Sequence, residues 1–214
     1  GMAAVKGVGV AAVDEIIRAR DADGKFASVE DFAKRVSTSK VNRKAWEALI
    51  KAGAFDSLGD RSDLLFNLEN ILAFASKLQK EALSGQTDMF ASLGKNDGLI
   101  PTVELKSSPV KYTEKEQLMW ERELLGLYIS AHPLDNFDTF FEEQTIPLLS
   151  LTPKVDGQKV TIGGLVTSVR TIVTKSGTKM AFVALEDKTG ETEVIVFPKL
   201  YERLSADLRQ DVIV

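Results

Sequence analysis

A chain of 214 residues, 44% hydrophobic and 27% charged, has the size and balance of a globular protein with one large core or two small ones. The absence of cysteine excludes disulfides, thiolate zinc sites and cysteine nucleophiles, and no apolar run approaches the roughly 20 residues of a membrane span, so the expected setting is cytoplasmic. A net charge of −4 excludes a uniformly basic coat for nucleic acid but leaves room for a local basic patch.

At the amino-terminal end, Lys6-Gly7-Val8-Gly9 leads into a helix whose apolar face is Val13, Ile16 and Ile17. Two glycines bare the backbone, and unpaired N–H groups at a helix start suit a phosphate; a simple turn is the competing reading. Asp21-Ala22-Asp23-Gly24 with Glu30 partly matches a calcium loop, but the first ligand position is Ala19, so a glycine-ended helix is the better account.

A second unit follows the same plan. It has a helix from about Asn42 to Lys51 with Trp46, Leu49 and Ile50 on one face, the hairpin Ala52-Gly53-Ala54-Phe55, and a helix after Ser62, its expected cap. With one glycine instead of two, this hairpin reads as a packing duplicate that fixes the first. Lys40, Arg43 and Lys44 beside it are candidates for phosphate contact, or else a solvated helix face. Leu64, Leu65, Leu68, Ile71, Leu72, Ala75 and Leu78 form a stripe that predicts one long amphipathic helix.

Residues 83–112 read as a linker marked by Gly85, Gly94, Gly98, Pro101, Ser107 and Ser108. Within it, Gln86-Thr87-Asp88-Met89-Phe90 places a glutamine before two adjacent large apolar residues, a pattern suited to docking into a greasy pocket on a partner; packing into this chain's own core is the alternative. Helical periodicity returns from Thr113 to about Ser130, with Leu118, Leu124, Leu125 and Tyr128 on one side and Pro133 as the stop. The single histidine, His132, lacks the companions of a zinc site or a catalytic triad and reads as a turn residue.

After Pro153 the pattern changes to strands, at Val160–Val166, Met180–Leu185 and Thr192–Phe197, with Asp187-Lys188-Thr189-Gly190 as a turn. A helix from about Lys199 to Arg209 and the start of a fourth strand at Val212-Ile213-Val214 complete the order of an OB-fold that lacks its last strand. No acidic residue occurs from Lys159 to Lys179. Arg170, Lys175 and Lys179, around the loop Thr174-Lys175-Ser176-Gly177, are therefore the candidates for single-stranded DNA. Phe182 is a stacking candidate, with a core position as the competing reading.

Neither Gly24-Lys25 nor Gly94-Lys95 is followed by Ser or Thr, so no P-loop is present, and the acids are scattered without the strand-borne pair that two-metal polymerase chemistry needs. No catalytic residue, metal site or cofactor is expected.

Five blocks carry a family resemblance: Val5–Gly9, Leu49–Asp56, Gln86–Phe90, Gly126–Leu134, and Met180–Val183 with Val196-Phe197-Pro198. Together and in this order they resemble the carboxy-terminal region of the alpha subunits of bacterial DNA polymerase III, the C-family replicative polymerases. The resemblance implies an α+β chain: a tandem helix-hairpin-helix domain (1–82) on double-stranded DNA, a linker with a clamp peptide (83–112), a connecting helical segment (113–153) and a partial OB-fold (154–214) on single-stranded DNA. It implies duplex contacts at Lys6, Gly7 and Gly9, to which the residues themselves add Lys40, Arg43, Lys44 and Gly53 as candidates. It also implies that Gln86, Asp88, Met89 and Phe90 bind the beta sliding clamp, that other replicase subunits are partners, and that nucleotide transfer takes place elsewhere in the parent protein. Two other readings stay open from the residues alone: a small DNA-processing enzyme that docks through a hairpin, and a scaffold whose barrel binds protein.

Overall fold

A computed structural model describes residues 4–83 and 102–214. Two compact units, Gly1–Ser130 and Ala131–Val214, each bury a core of their own.

The first unit is helical, and most of its helices begin on a side chain suited to that place. After Gly9, α1 (Val10–Asp23) turns Ala12, Val13, Ile16 and Ala19 inward and ends at Gly24, whose φ of +80° stops the helix as expected. Ser28 caps α2 (Val29–Arg35) by accepting from the Asp31 amide, and Asn42 caps α3 (Arg43–Lys51) by accepting from the Ala45 amide. Phe32, Trp46 and Phe55 meet at the centre, with ring centroids 4.8 Å apart for Phe32–Trp46 and Phe32–Phe55 and 5.2 Å apart for the stacked Trp46–Phe55 pair. Each such pair adds about 0.5–1.5 kcal/mol beyond the area it buries.

The predicted long helix after Ser62 is two helices, α4 (Arg61–Phe66) and α5 (Leu68–Leu83). The break is Asn67, fully buried, whose side chain donates to the carbonyls of Asp63 and Lys106 and accepts from the Lys106 amide. A side chain engaged with a distant segment on both its donor and acceptor sides does not follow helix periodicity. Asp60, not Ser62, caps α4, receiving the amides of Ser62 and Asp63. Ser62 is buried instead, and its hydroxyl accepts from the Tyr112 amide.

Residues 106–112, expected as linker, are therefore held against α4. Lys111 bridges Asp60 and Asp63 at 3.0 and 2.6 Å, and the Ser108 amide donates to Asp63 at 2.6 Å. Next comes α6 (Glu114–Leu125). Thr113 and Glu116 close a capping box at its start, and Gly126 ends it in the left-handed region, φ +76°. The helix thus stops well before Pro133, and Tyr128 lies in the turn beyond it. The segment 113–153 is shared between the two units.

The second unit contains α7 (Asp138–Gln144), an antiparallel sheet in the order β1 (Leu165–Val173), β2 (Lys179–Glu186), β3 (Glu191–Val196), and α8 (Pro198–Leu204). The first strand begins several residues later than its apolar run suggests, and the two glycines before it, Gly163 and Gly164, sit where no side chain fits. A Cβ on Gly164 would lie 2.5 Å from the Glu186 carbonyl oxygen, and one on Gly163 would meet the Phe141 ring. The expected fourth strand is present as pairing of Val212–Val214 with the start of β1, through Gly164, Leu165 and Val166. Val166, Ala181, Val183, Leu185 and Val196 form the inner face with Leu148. Asp187 organises the β2–β3 turn by accepting from Thr189 and Gly190. His132 is a turn residue, its Nδ1 accepting from the Leu134 amide at 3.2 Å.

Candidate nucleic-acid interface

Val5 and Val8 anchor the first hairpin by burying their side chains, which leaves the backbone between and after them facing outward. Gly7 has φ +92°, a conformation that favours glycine. The Lys6 amide donates to the Leu124 carbonyl at 2.8 Å and the Val8 amide to the Val5 carbonyl at 3.1 Å. The amides of Gly7, Gly9, Val10 and Ala11 meet no acceptor among the described residues. Gly9, Val10 and Ala11 at the start of this 14-residue helix, with Gly7 in the turn before it, offer amide donors that suit an anion.

Lys44 belongs to this seat. A Cβ on Gly7 would lie 3.6 Å from its Cε, which puts the end of the lysine side chain against the hairpin. Lys6 and Lys44 are exposed and have no ion pair among the described residues. Lys40 and Arg43 differ: Lys40 pairs with Glu15 at 3.3 Å, and Arg43 pairs with Glu69. Glu15 is itself buried. The Arg18 guanidinium, with help from the Ser37 amide and Lys40, holds its carboxyl at about 2 against the opposing effect of burial.

The second hairpin also turns on a glycine of positive φ, but its hydrogen bonds and its chemistry differ. Gly53, φ +80°, has its amide bonded to the Ile50 carbonyl at 3.0 Å, and its neighbours Ala52 and Ala54 donate to Ala48 and Leu49, each at 2.9 Å. The space a Cβ would need is filled by the Arg61 guanidinium, with Asp56 Oδ2 at 2.9 Å. Arg61 is 4% exposed and donates to both Asp56 oxygens, to the Lys51 carbonyl, to Ser130 Oγ and to Glu121 at 2.8 Å. Glu121 is 0% exposed; burial pushes its carboxyl up, but bonds from Ser130, the Ile129 amide and Arg61 outweigh that and hold it below the usual range. Periodicity does not reveal this pair, whose members stand 60 residues apart.

On the sheet, Arg170 and Phe182 are register partners, and the guanidinium lies 4.3 Å from the ring centroid, with Glu193 at 3.8 Å. Phe182 alternates with the core residues Ala181 and Val183, so it faces outward, half-buried beneath Arg170. Lys175 stands on the β1–β2 loop, which is closed by Thr174–Thr178 hydrogen bonds, and Lys179 opens β2; neither has an ion pair among the described residues. Gln86, Asp88, Met89 and Phe90 lie outside the described residues. Among the described residues, no three His, Asp or Glu side chains come together as a metal-holding group.

Residues 1–64 match the model of the helix-hairpin-helix motif, and residues 160–214 match that of the OB-fold nucleic acid binding domain. The chain is 35% identical to the DNA polymerase III subunit alpha of Haemophilus influenzae over 216 aligned residues, covering 100% of this chain and 18% of that protein. The Thermus aquaticus subunit is 37% identical over 99% of this chain and 17% of its own length, and the Mycobacterium tuberculosis subunit 36% identical over 100% and 18%. A helix-hairpin-helix motif followed by an OB-fold, matched end to end by these relatives, places the chain in the family of DNA polymerase III alpha subunits, as a segment spanning 18% or less of the length of these three relatives.

Proposed function

We propose that this segment holds DNA and the sliding clamp for a replicative polymerase, in the cytoplasm and alongside other replicase subunits, and transfers no nucleotide itself. The observation that carries this reading is the run of acceptor-free amides at Gly7, Gly9, Val10 and Ala11 flanked by Lys6 and Lys44. Backbone donors and two lysines contact phosphates without reading bases, which is what a polymerase that must move along any sequence requires. Lys40 and Arg43, already paired with Glu15 and Glu69, add little to the seat, and Gly53 supports it through packing.

The OB-fold sheet supplies a second, separate contact. Phe182 under Arg170, with Lys175 and Lys179 on the adjoining loop and strand, combines a stacking surface with cations, the pairing that suits single-stranded DNA. The peptide Gln86–Phe90 docks on the beta clamp, with Met89 and Phe90 as anchors and Gln86 and Asp88 setting register. Weak contacts joined in one chain reinforce one another, because each raises the local concentration of the next.

The test is an anisotropy titration of the 214-residue chain against a labelled duplex with a single-stranded extension, at several salt concentrations. Each phosphate contact contributes about 0.9 to the salt slope on duplex DNA, so the Lys6→Ala, Lys44→Ala double variant should bind with a slope shallower by about 2. A parent chain that binds no DNA at low salt, or a double variant with the parent's slope, refutes the duplex assignment. For the clamp, retention of the Met89→Ala, Phe90→Ala chain on immobilised beta clamp at the parent's level refutes that assignment.

A further inference from the structure

The buried acid of α6 is poorly explained by stability. A fully buried carboxylate beside a guanidinium carries a desolvation cost that an apolar side chain of similar volume would avoid. What the carboxylate supplies is direction. One Glu121 oxygen receives the amides of Ile129 and Ser130 at 2.7 and 2.9 Å; the other receives Arg61 and the Ser130 hydroxyl. Arg61 is in turn fixed by Asp56 and the Lys51 carbonyl, immediately around the second hairpin. Rotation or sliding of α6 would break several of these bonds together.

Three residues after Glu121, and so on the same side of the helix, Leu124 presents the carbonyl that receives the Lys6 amide. That bond ties the backbone of α6 to the hairpin that carries the acceptor-free amides of Gly7, Gly9, Val10 and Ala11. The second hairpin, with its own amides committed internally, is thus joined to the first through one helix. Further contacts support the helix itself: Lys51 lies 5.4 Å from the Trp120 ring, and Tyr112 packs edge-on against Trp120 at 4.6 Å.

We infer that Glu121 is a positioning residue for DNA: through Arg61 and the Ile129–Ser130 turn it fixes α6, and through the Leu124 carbonyl it sets where the Gly7–Ala11 amides point. The inference rests on the duplex reading of the first hairpin for its functional consequence, but its structural half stands apart from it.

The experiment uses the whole 214-residue chain as Glu121→Gln, Ser130→Ala and Gln79→Ala variants. Gln79 ties α5 to Val36 and Thr38 and serves as a destabilised control remote from α6. Two quantities are read below the melting transition: duplex affinity with its salt slope, and the exchange rates of the Lys6 and Gly7 amides. Glu121→Gln should weaken duplex binding about tenfold and flatten the slope, with Ser130→Ala about threefold, on the scale of a lost phosphate contact. Lys6 exchange should quicken in both, while Gln79→Ala keeps parental affinity, slope and Lys6 exchange. If Glu121→Gln fails to fold, Ser130→Ala alone decides. Parental affinity and Lys6 exchange in the folded variants overturn the inference. A parent chain that binds no duplex overturns the duplex reading instead, and Lys6 exchange then decides whether Glu121 positions the hairpin at all.

Discussion

The two hairpins of the helical unit each turn on a glycine of positive φ, +92° at Gly7 and +80° at Gly53, and use it for different ends. At Gly7 the missing side chain leaves ordinary room, the nearest atoms being Lys44 Cε at 3.6 Å and Ala48 Cβ at 3.7 Å. At Gly53 it leaves space already filled by a buried guanidinium, and the local amides are bonded within the chain. A second glycine turn therefore does not imply a second binding site; the destination of the amides distinguishes a binding turn from a supporting one.

The sharpest way to break this contrast is to add a methyl group at each turn. Gly53→Ala should lose about 3 kcal/mol in urea unfolding, combining left-handed strain with collision against Arg61, whereas Gly7→Ala should lose about 1 kcal/mol from strain alone. Duplex affinity measured on folded protein should rank them the other way, with Gly7→Ala the weaker binder. Equal losses in both assays would erase the distinction between the hairpins.

Removing the charge of the buried acid that engages Lys40 should have the next largest effect. Glu15→Gln exchanges charged hydrogen bonds to Arg18, Lys40 and the Ser37 amide for neutral ones and should cost about 2 kcal/mol at pH 7. The folded carboxyl titrates at about 2, below its ordinary 4.5, so the stabilisation is complete above pH 4.5 and is lost as pH falls toward 2. Urea midpoints at pH 7, 4 and 3 should converge for parent and variant as the pH drops; a constant gap would show that Glu15 does not titrate this way.

The smallest effects separate the lysines. Lys44→Ala should weaken duplex binding about fivefold, while Lys40→Ala and Arg43→Ala, whose charges are already paired, should stay within about twofold. Equal losses for all three would mean that the hairpin does not set the contact geometry.

Local signals carried much of this fold. Gly24 announced the end of α1, the Asp187-Lys188-Thr189-Gly190 turn was readable from its residue types, and the apolar spacing located α1, α3 and α6. The signals failed where a side chain answers to a distant partner. Asn67 interrupts an unbroken apolar stripe because Lys106 needs it, and Ser62 leaves the cap to Asp60 because Tyr112 does. Gly126 ends α6 ahead of the proline that the sequence suggested as the stop. Within the candidate site, the first hairpin and Lys44 were legible as residue types in a known pattern. The ion pairs of Lys40 and Arg43, the outward side of Phe182, and the whole Arg61–Glu121 cluster were not, because nothing in a linear pattern reports a contact across 60 residues.

The two ends of α6 bear on the order in which the molecule assembles. Thr113 with Glu116 and the left-handed Gly126 close the helix using its own sequence neighbours, so local caps offset part of the cost of its terminal turns without help from any distant contact. Helical segments form on a scale of about a microsecond, ahead of most long-range docking. Glu121 and the Leu124 carbonyl stand three residues apart on one helix, so docking of that helix couples the buried ion pair to the tie with the first hairpin.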